Sequence, residues 1–199
     1  MIKTLRYGNT NTFFIQGEQG GLLVDTDYAG TLQGFFRAIK SAGIGLSDIS
    51  YMIMTHYHPD HMGIAGELQG LGIRLAIADV QLSSVHFSDR IFDREGRFGY
   101  RPIDEASARI ITIPQSRSFL AELGIEGEML HTPSHSEDSI SIVLDSGDCF
   151  VGDLEPLEYL AAYGDNDSLQ ADWDLLLSRH PKTIHYAHVN EKSLQQDHL

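Results

Sequence analysis

Alternation and helical spacing of apolar residues divide the chain into short strands and amphipathic helices. Thr12–Gln16 and Gly21–Asp25 read as two strands of a hairpin, joined by the turn-forming residues Glu18-Gln19-Gly20. A helix is expected over about 30–41, where Leu32, Phe35, Phe36 and Ile39 recur at helical spacing and Gly43 and Gly45 stop it. The apolar run Ile49–Thr55 is β-compatible and leads directly into a polar segment, after which a helix is expected from His61 to Gly70 or Gly72. Ile73–Ala78 reads as the next strand. Further strands are expected at Ala108–Ile113 and Met129–His131, and a hairpin at Ile140–Val151 turns on Asp145-Ser146-Gly147-Asp148. Leu169–Ser178 is expected to be a helix and Thr183–His188 a final strand. Segment 85–101 follows no period. It mixes aromatic and charged residues and is either a flap over a cleft or an ordered surface excursion.

Strands alternating with helices, mixed with hairpins, imply sheets covered by helices. A length of 199 residues fits a single domain, 1–199, able to bury a substantial core. A hydrophobic fraction of 42% with 19 glycines excludes a disordered or fibrous chain. The apolar runs stop well short of the roughly 18 residues a membrane span needs, and the start lacks a signal-peptide pattern, so a cytoplasmic location is expected.

A single cysteine, Cys149, excludes an internal disulfide and lies in an apolar run where a buried thiol is expected. A formal charge of −14 argues against nucleic acid or an anionic membrane as partner. A small-molecule substrate is the expected partner, and self-association into a homo-oligomer is left open.

The chemistry concentrates in Thr55-His56-Tyr57-His58-Pro59-Asp60-His61, where three histidines and an aspartate fall within six positions. Imidazoles and carboxylates ligate zinc and other first-row cations. On a strand His56 and His58 point the same way. Pro59 then breaks the strand and lets Asp60 and His61 turn towards a second position. Four residues cannot complete two coordination shells, so further ligands are expected where other strands give way to loops, at His135, Asp153 and His188. Of the remaining histidines, His185 is expected in the core or on a sheet surface, His131 in a supporting or packing role, and His180 in solvent. His86 and His198 have no positional support.

The chain resembles the metallo-β-lactamase superfamily, in the broad sense that includes glyoxalase II-like thioesterases. The resemblance rests on Leu22–Thr26 (LLVDT), Thr55–His61 (THYHPDH), His131–Ile140 (HTPSHSEDSI), Val151–Asp153 (VGD) and Tyr186–His188 (YAH). It implies an α/β fold, a four-layer αβ/βα sandwich of two mixed β-sheets flanked by helices. It also implies that His56, His58 and His135 hold one ion, that Asp60, His61 and His188 hold a second, and that Asp153 bridges them, with Asp25 in a supporting position. Where relatives often carry glycine, this chain has Ser134 and Ser136 around His135, and Ala187 and Val189 around His188.

Two divalent metal ions are therefore expected as cofactors, zinc first, with iron or manganese as alternatives. The implied activity is that of a metallo-hydrolase, in which a water activated as hydroxide attacks a small thioester, ester, lactone or phosphoester. Asp60 combines ligation with orienting that water. The 11 residues after His188 leave no room for the C-terminal helical domain of glyoxalase II-like thioesterases. Two other readings stand beside hydrolysis: iron-dependent redox chemistry on the same fold, and a non-catalytic metal-binding module.

Overall fold

A computed structural model describes residues 1–96, 99–163 and 166–194. Phe98 and His198 lie outside the described residues. One mixed sheet has six strands in the order β1 (Ile2–Arg6), β2 (Asn11–Gln16), β3 (Gly21–Val24), β4 (Ile49–Ile53), β5 (Arg74–Ala78) and β6 (Arg109–Ile111). Its first three strands are antiparallel and its last four parallel, with β3 common to both arrangements. The second sheet has five strands: β7 (Gly127–His131), β8 (Ile140–Leu144), β9 (Asp148–Phe150), β10 (Thr183–His185) and β11 (Lys192–Ser193). Within it only β9 and β10 pair parallel.

The period of two explains how the layers stack. Phe13 and Ile15 of β2, Tyr51 and Ile53 of β4, and Ile140, Ile142 and Leu144 of β8 meet in one apolar layer between the sheets. The intervening residues Phe14 and Met52 face outward to α1 (Leu32–Ser41), whose Phe35 and Ile39 cover them. On the far side Val143 and Cys149 face α6 (Asp167–Leu177) through Leu169, Trp173 and Leu176. Three apolar layers thus separate four layers of structure, the αβ/βα sandwich.

Several expected elements are resized, and others were not anticipated, among them β11. The helix expected from His61 is split into α2 (Pro59–Met62) and α3 (Ala65–Gly70). At the break, Gly63 lies so close to another loop that a Cβ there would meet the Ala29 nitrogen at 2.2 Å. Only the first half of Thr183–His188 is paired as strand. Strand β1 and the helix α5 (Ser116–Glu122) are additions. The irregular segment 85–101 contains a helix, α4 (Asp89–Glu95), anchored by buried Phe92, which packs on Tyr28 and Tyr100. Among the described residues no helix is long and apolar enough to cross a membrane.

Candidate metal centre

The residues after β4 turn into α2 at one rim of the sandwich, and the loops after β7, β9 and β10 converge on the same rim. Pro59 takes the first position of α2, where its missing N–H is needed by no helical bond. Thr55 is the junction. Its carbonyl accepts the Ile140 N–H at 2.8 Å and joins the two sheets.

All seven predicted residues come together. His56, His58, His135 and Asp153 form one group that could hold a cation, and Asp60, His61 and His188 form another, the candidate ligand atoms of each group lying within 4.8 Å of one another. In the first group His58 Nδ1 lies 3.0 Å from His56 Nε2 and 3.2 Å from His135 Nε2. Asp153 lies between the groups and offers them different oxygens. Its Oδ2 is 3.9 Å from His56 Nε2 and 3.7 Å from His135 Nε2, whereas Oδ1 is 3.3 Å from His61 Nε2 and 3.1 Å from His188 Nε2. Asp60 closes the second group, its Oδ2 being 3.3 Å from His188 Nε2.

The electrostatics fit a pair of cations. His61 Nε2 and Asp153 Oδ1 are buried, and neither has a hydrogen-bond partner among the described residues. A neutral imidazole nitrogen and a carboxylate oxygen both donate electron pairs, so one cation between them satisfies both. Burial works against a charged His61, yet Asp25 and Asp153 raise its pKa to about 10. The carboxylates of Asp153 and Asp60 beside it raise that of His188 to about 10. Protons on these rings take up the positive charge that the carboxylates demand. Burial and the neighbouring His61 hold His56 neutral, and burial lowers the pKa of His135. Asp153 stays ionised: burial opposes this, but the His188 and His61 rings beside it outweigh it.

Behind the ligands, buried Asp25 organises the group. Its Oδ2 accepts His61 Nδ1–H at 3.1 Å, leaving Nε2 to face Asp153. The same carboxylate accepts the Thr55 N–H at 2.6 Å and the Thr55 hydroxyl at 2.8 Å, and that hydroxyl lies 3.2 Å from His56 Nδ1. One carboxylate thereby fixes a histidine of each group. Asp25 adopts a left-handed φ of 60°, a conformation that Asp and Asn tolerate better than most residues. Gly152 has φ 57°, and a Cβ there would lie 2.4 Å from Thr55 Oγ1, so a side chain at 152 would push Asp153 out of place.

Sequence reading missed other positioning groups. Buried Gln81 donates through Nε2 to the carbonyls of Met54, Thr55 and Asp138 and accepts the Ala78 N–H. Asp138 accepts the Tyr57 N–H at 2.8 Å and the Ser136 hydroxyl at 2.8 Å, tying the His56–His58 segment to the His135 loop. Asn11 donates to the carbonyls of Tyr186 and Val189, both at 2.9 Å, and so holds the segment that presents His188. The Asn9 carbonyl lies 3.2 Å from His188 Nδ1.

The other histidines lie away from the centre. His185 stacks on Phe150 between the sheets and reaches Asp148 Oδ1 at 2.8 Å. His131 supports the His135 loop by donating to the Glu137 carbonyl at 2.7 Å. His86 pairs with Asp89 and Glu105, and His180 is exposed. Of the aromatics in segment 85–101, Phe92 and Tyr100 belong to the core, whereas exposed Phe87 stands beside His58 at 5.8 Å between ring centroids. Flanking the ligands is an apolar groove of about 320 Å³, walled by Leu154, Pro156, Tyr186 and Val189.

Comparison with known proteins gives the same answer as the geometry. The chain is 24% identical over 187 residues to the Beta-lactamase-like protein 2 homolog of Drosophila melanogaster, covering 91% of this chain and 59% of that protein. It is 26% identical over 146 residues to an Atrochrysone carboxyl ACP thioesterase of Aspergillus fumigatus, covering 72% of this chain and 29% of that one. The chain therefore spans well under two thirds of the length of these relatives. Among solved structures, a metallo-beta-lactamase family protein from Thermus thermophilus matches with a TM-score of 0.76 at 20% identity, over 96% of this chain and 74% of its own. TTHA1623 in a di-iron-bound form matches with a TM-score of 0.71 at 19% identity, over 97% and 94%. A family model matches residues 5–188, nearly the whole chain, and by that match the protein belongs to the metallo-beta-lactamase superfamily.

Proposed function

We propose that this protein is a metal-dependent hydrolase that holds two divalent cations and cleaves a small carboxylic ester or thioester. The observation that carries this reading is the division of Asp153, whose two oxygens face two separate groups of imidazoles. In this reading His56, His58 and His135 would hold one cation, Asp60, His61 and His188 the other, and Asp153 would serve both. When bound, such a pair lowers the pKa of a water and stabilises negative charge that develops on the substrate.

The chain's own residues supply the rest. Asp25 keeps the proton on His61 Nδ1, and the Asn9 carbonyl does the same for His188, so that both rings present an unprotonated Nε2 once cations replace protons. Asp60, half-buried at the rim, would help to hold the second cation and to orient a water beside it. The apolar groove beside His135 and His188 accommodates an acyl group, and Phe87 covers the opposite side of the centre beside His58. An acyl substrate also accords with the thioesterase named among the relatives.

The test is a panel of thioesters, oxyesters, lactones and phosphoesters, assayed with zinc-, manganese- and iron-loaded protein and with chelator-treated protein. Chelator-sensitive turnover of acyl esters is the expected result, and turnover of none of the panel by any metal form contradicts the reading. A second reading, iron redox chemistry, is favoured by the di-iron form of one structural relative and by a 67-residue match, at 30% identity, to the Coenzyme F420H(2) oxidase of Methanothermobacter marburgensis. Imidazole and carboxylate donors accept iron as readily as zinc. Oxygen uptake by the iron-loaded form would favour that second reading.

A further inference from the structure

Beyond the ligands, His188 and Val189 also wall a second cleft, of about 400 Å³, whose far side is built by Arg6, Asn9, Asn11 and Asn190. Arg6 ends β1 with its side chain exposed, and both its hydrogen-bond partners are neutral. Its Nε donates to Asn11 Oδ1 at 3.0 Å and its Nη2 to Asn190 Oδ1 at 2.7 Å. Elsewhere on the surface, Arg109, Arg117, Arg179 and Lys192 spend their charge on carboxylates. Arg6 is placed as firmly as the ligand beside it. Asn11, 8% exposed, accepts from Arg6 with its amide oxygen while its amide nitrogen grips the Tyr186 and Val189 carbonyls on either side of His188. Asn11 therefore links the guanidinium to the segment that carries His188, at the edge of the candidate centre.

We infer that Arg6 is an anion-recognition residue and that the substrate carries a carboxylate in addition to the acyl group that is cleaved. This inference rests on the hydrolase reading for the reaction, but the binding it describes does not require turnover. A planar guanidinium presents paired N–H donors that match a carboxylate, and two amide oxygens hold the fork without neutralising it. Charge makes the need concrete. A chain with a net charge of −14 repels an anion at long range, so an anionic substrate requires a fixed local cation next to the reacting centre. The apolar groove and the Arg6 cleft share His188 and Val189 as walls. A substrate lying across the centre would set its apolar end in the groove and its carboxylate at Arg6.

Calorimetric titration of zinc-loaded protein with the dicarboxylates from malonate to adipate, each paired with the monocarboxylate of equal length, tests the inference. The expected result is a preference of roughly tenfold or more for at least one dicarboxylate over its partner, in line with a charge-assisted, bidentate contact. Arg6→Gln should remove that preference, Arg6→Lys should keep part of it, and Lys40→Gln, an equal loss of charge on exposed α1, should leave it in place. Zinc content and circular dichroism of the variants establish that fold and centre persist. No dicarboxylate preference in the wild type, or an unchanged preference in Arg6→Gln, overturns the anion site. If the preference depends on Arg6 while no ester is turned over, the anion site stands and the hydrolase reading falls. If neutral and carboxylate-bearing esters are hydrolysed equally by wild type, the reverse holds.

Discussion

Replacing Asp25 by asparagine exchanges one oxygen for an NH2 group and tests whether a residue that need not touch a cation controls the centre. The backbone should not object, because asparagine tolerates the left-handed φ of 60° found there, whereas alanine would add a cost of about 1–2 kcal/mol. The asparagine oxygen still accepts the Thr55 N–H, now 2.6 Å from Asp25. Its NH2 group then faces His61 Nδ1, which at present donates to Asp25 at 3.1 Å. Two donors would oppose each other unless the imidazole moved its proton to Nε2, the nitrogen that faces Asp153 and the proposed cation. Loss of such a supporting partner typically lowers metal affinity about 10- to 100-fold, equivalent to roughly 1.4–2.7 kcal/mol. The second group should suffer most, since His56 in the first group reaches Asp25 only through the Thr55 hydroxyl. Zinc titration against a chromophoric chelator resolves the two affinities. Two affinities within about twofold of wild type, or equal weakening of both with the fold intact, would refute the assigned role of Asp25.

Other predictions concern protons, backbone and thiol. With pKa values raised to about 10, His61 and His188 are protonated in the metal-free protein, so apparent zinc affinity should rise from pH 6 to pH 8. For the same reason their contribution to the stability of metal-free protein is full below the unfolded value of about 6.5 and is lost as pH rises through about 10. A pH-independent zinc affinity would contradict both statements. Gly152→Ala combines a disfavoured φ with a Cβ 2.4 Å from Thr55 Oγ1, and should destabilise by about 2–5 kcal/mol and lower Tm by several degrees. A wild-type melting curve would contradict that. Cys149 is fully buried and burial pushes its thiol pKa up, so iodoacetamide should label it only after denaturation and Cys149→Ala should retain turnover. Rapid labelling of native protein would be the contrary result.

The candidate ligands that the structure brings together were legible in the sequence because their placement is local chemistry. Four of them lie in His56–His61, in the turn between β4, which ends at Ile53 rather than at Pro59 as expected, and α2, and the other three sit where strands yield to loops. The layered fold was legible for a similar reason, since alternation in β2, β4 and β8 maps directly onto inner and outer faces. What could not be read depends on contacts distant along the chain. Gln81 reaches Thr55 and Asp138 across 26 and 57 positions, and an isolated glutamine in a polar stretch gives no sign of it. Strand β1 was missed because Lys3 and Arg6 mask its alternation, and it is defined by pairing with β2. Segment 85–101 reads as irregular since its buried anchors, Val85, Ser88 and Phe92, each meet a different part of the molecule. That Asp138 ties the Tyr57 backbone to Ser136 in the His135 loop is likewise visible only in the structure.

The central claim, two cations bridged by Asp153, is tested most directly by elemental analysis of protein saturated with zinc and freed of excess metal, beside Asp153→Asn treated in the same way. The account predicts two zinc ions per chain in the wild type, and in the variant a loss of at least one with the circular dichroism spectrum retained. One ion or none in the wild type, or two in the variant at unchanged affinity, would contradict it.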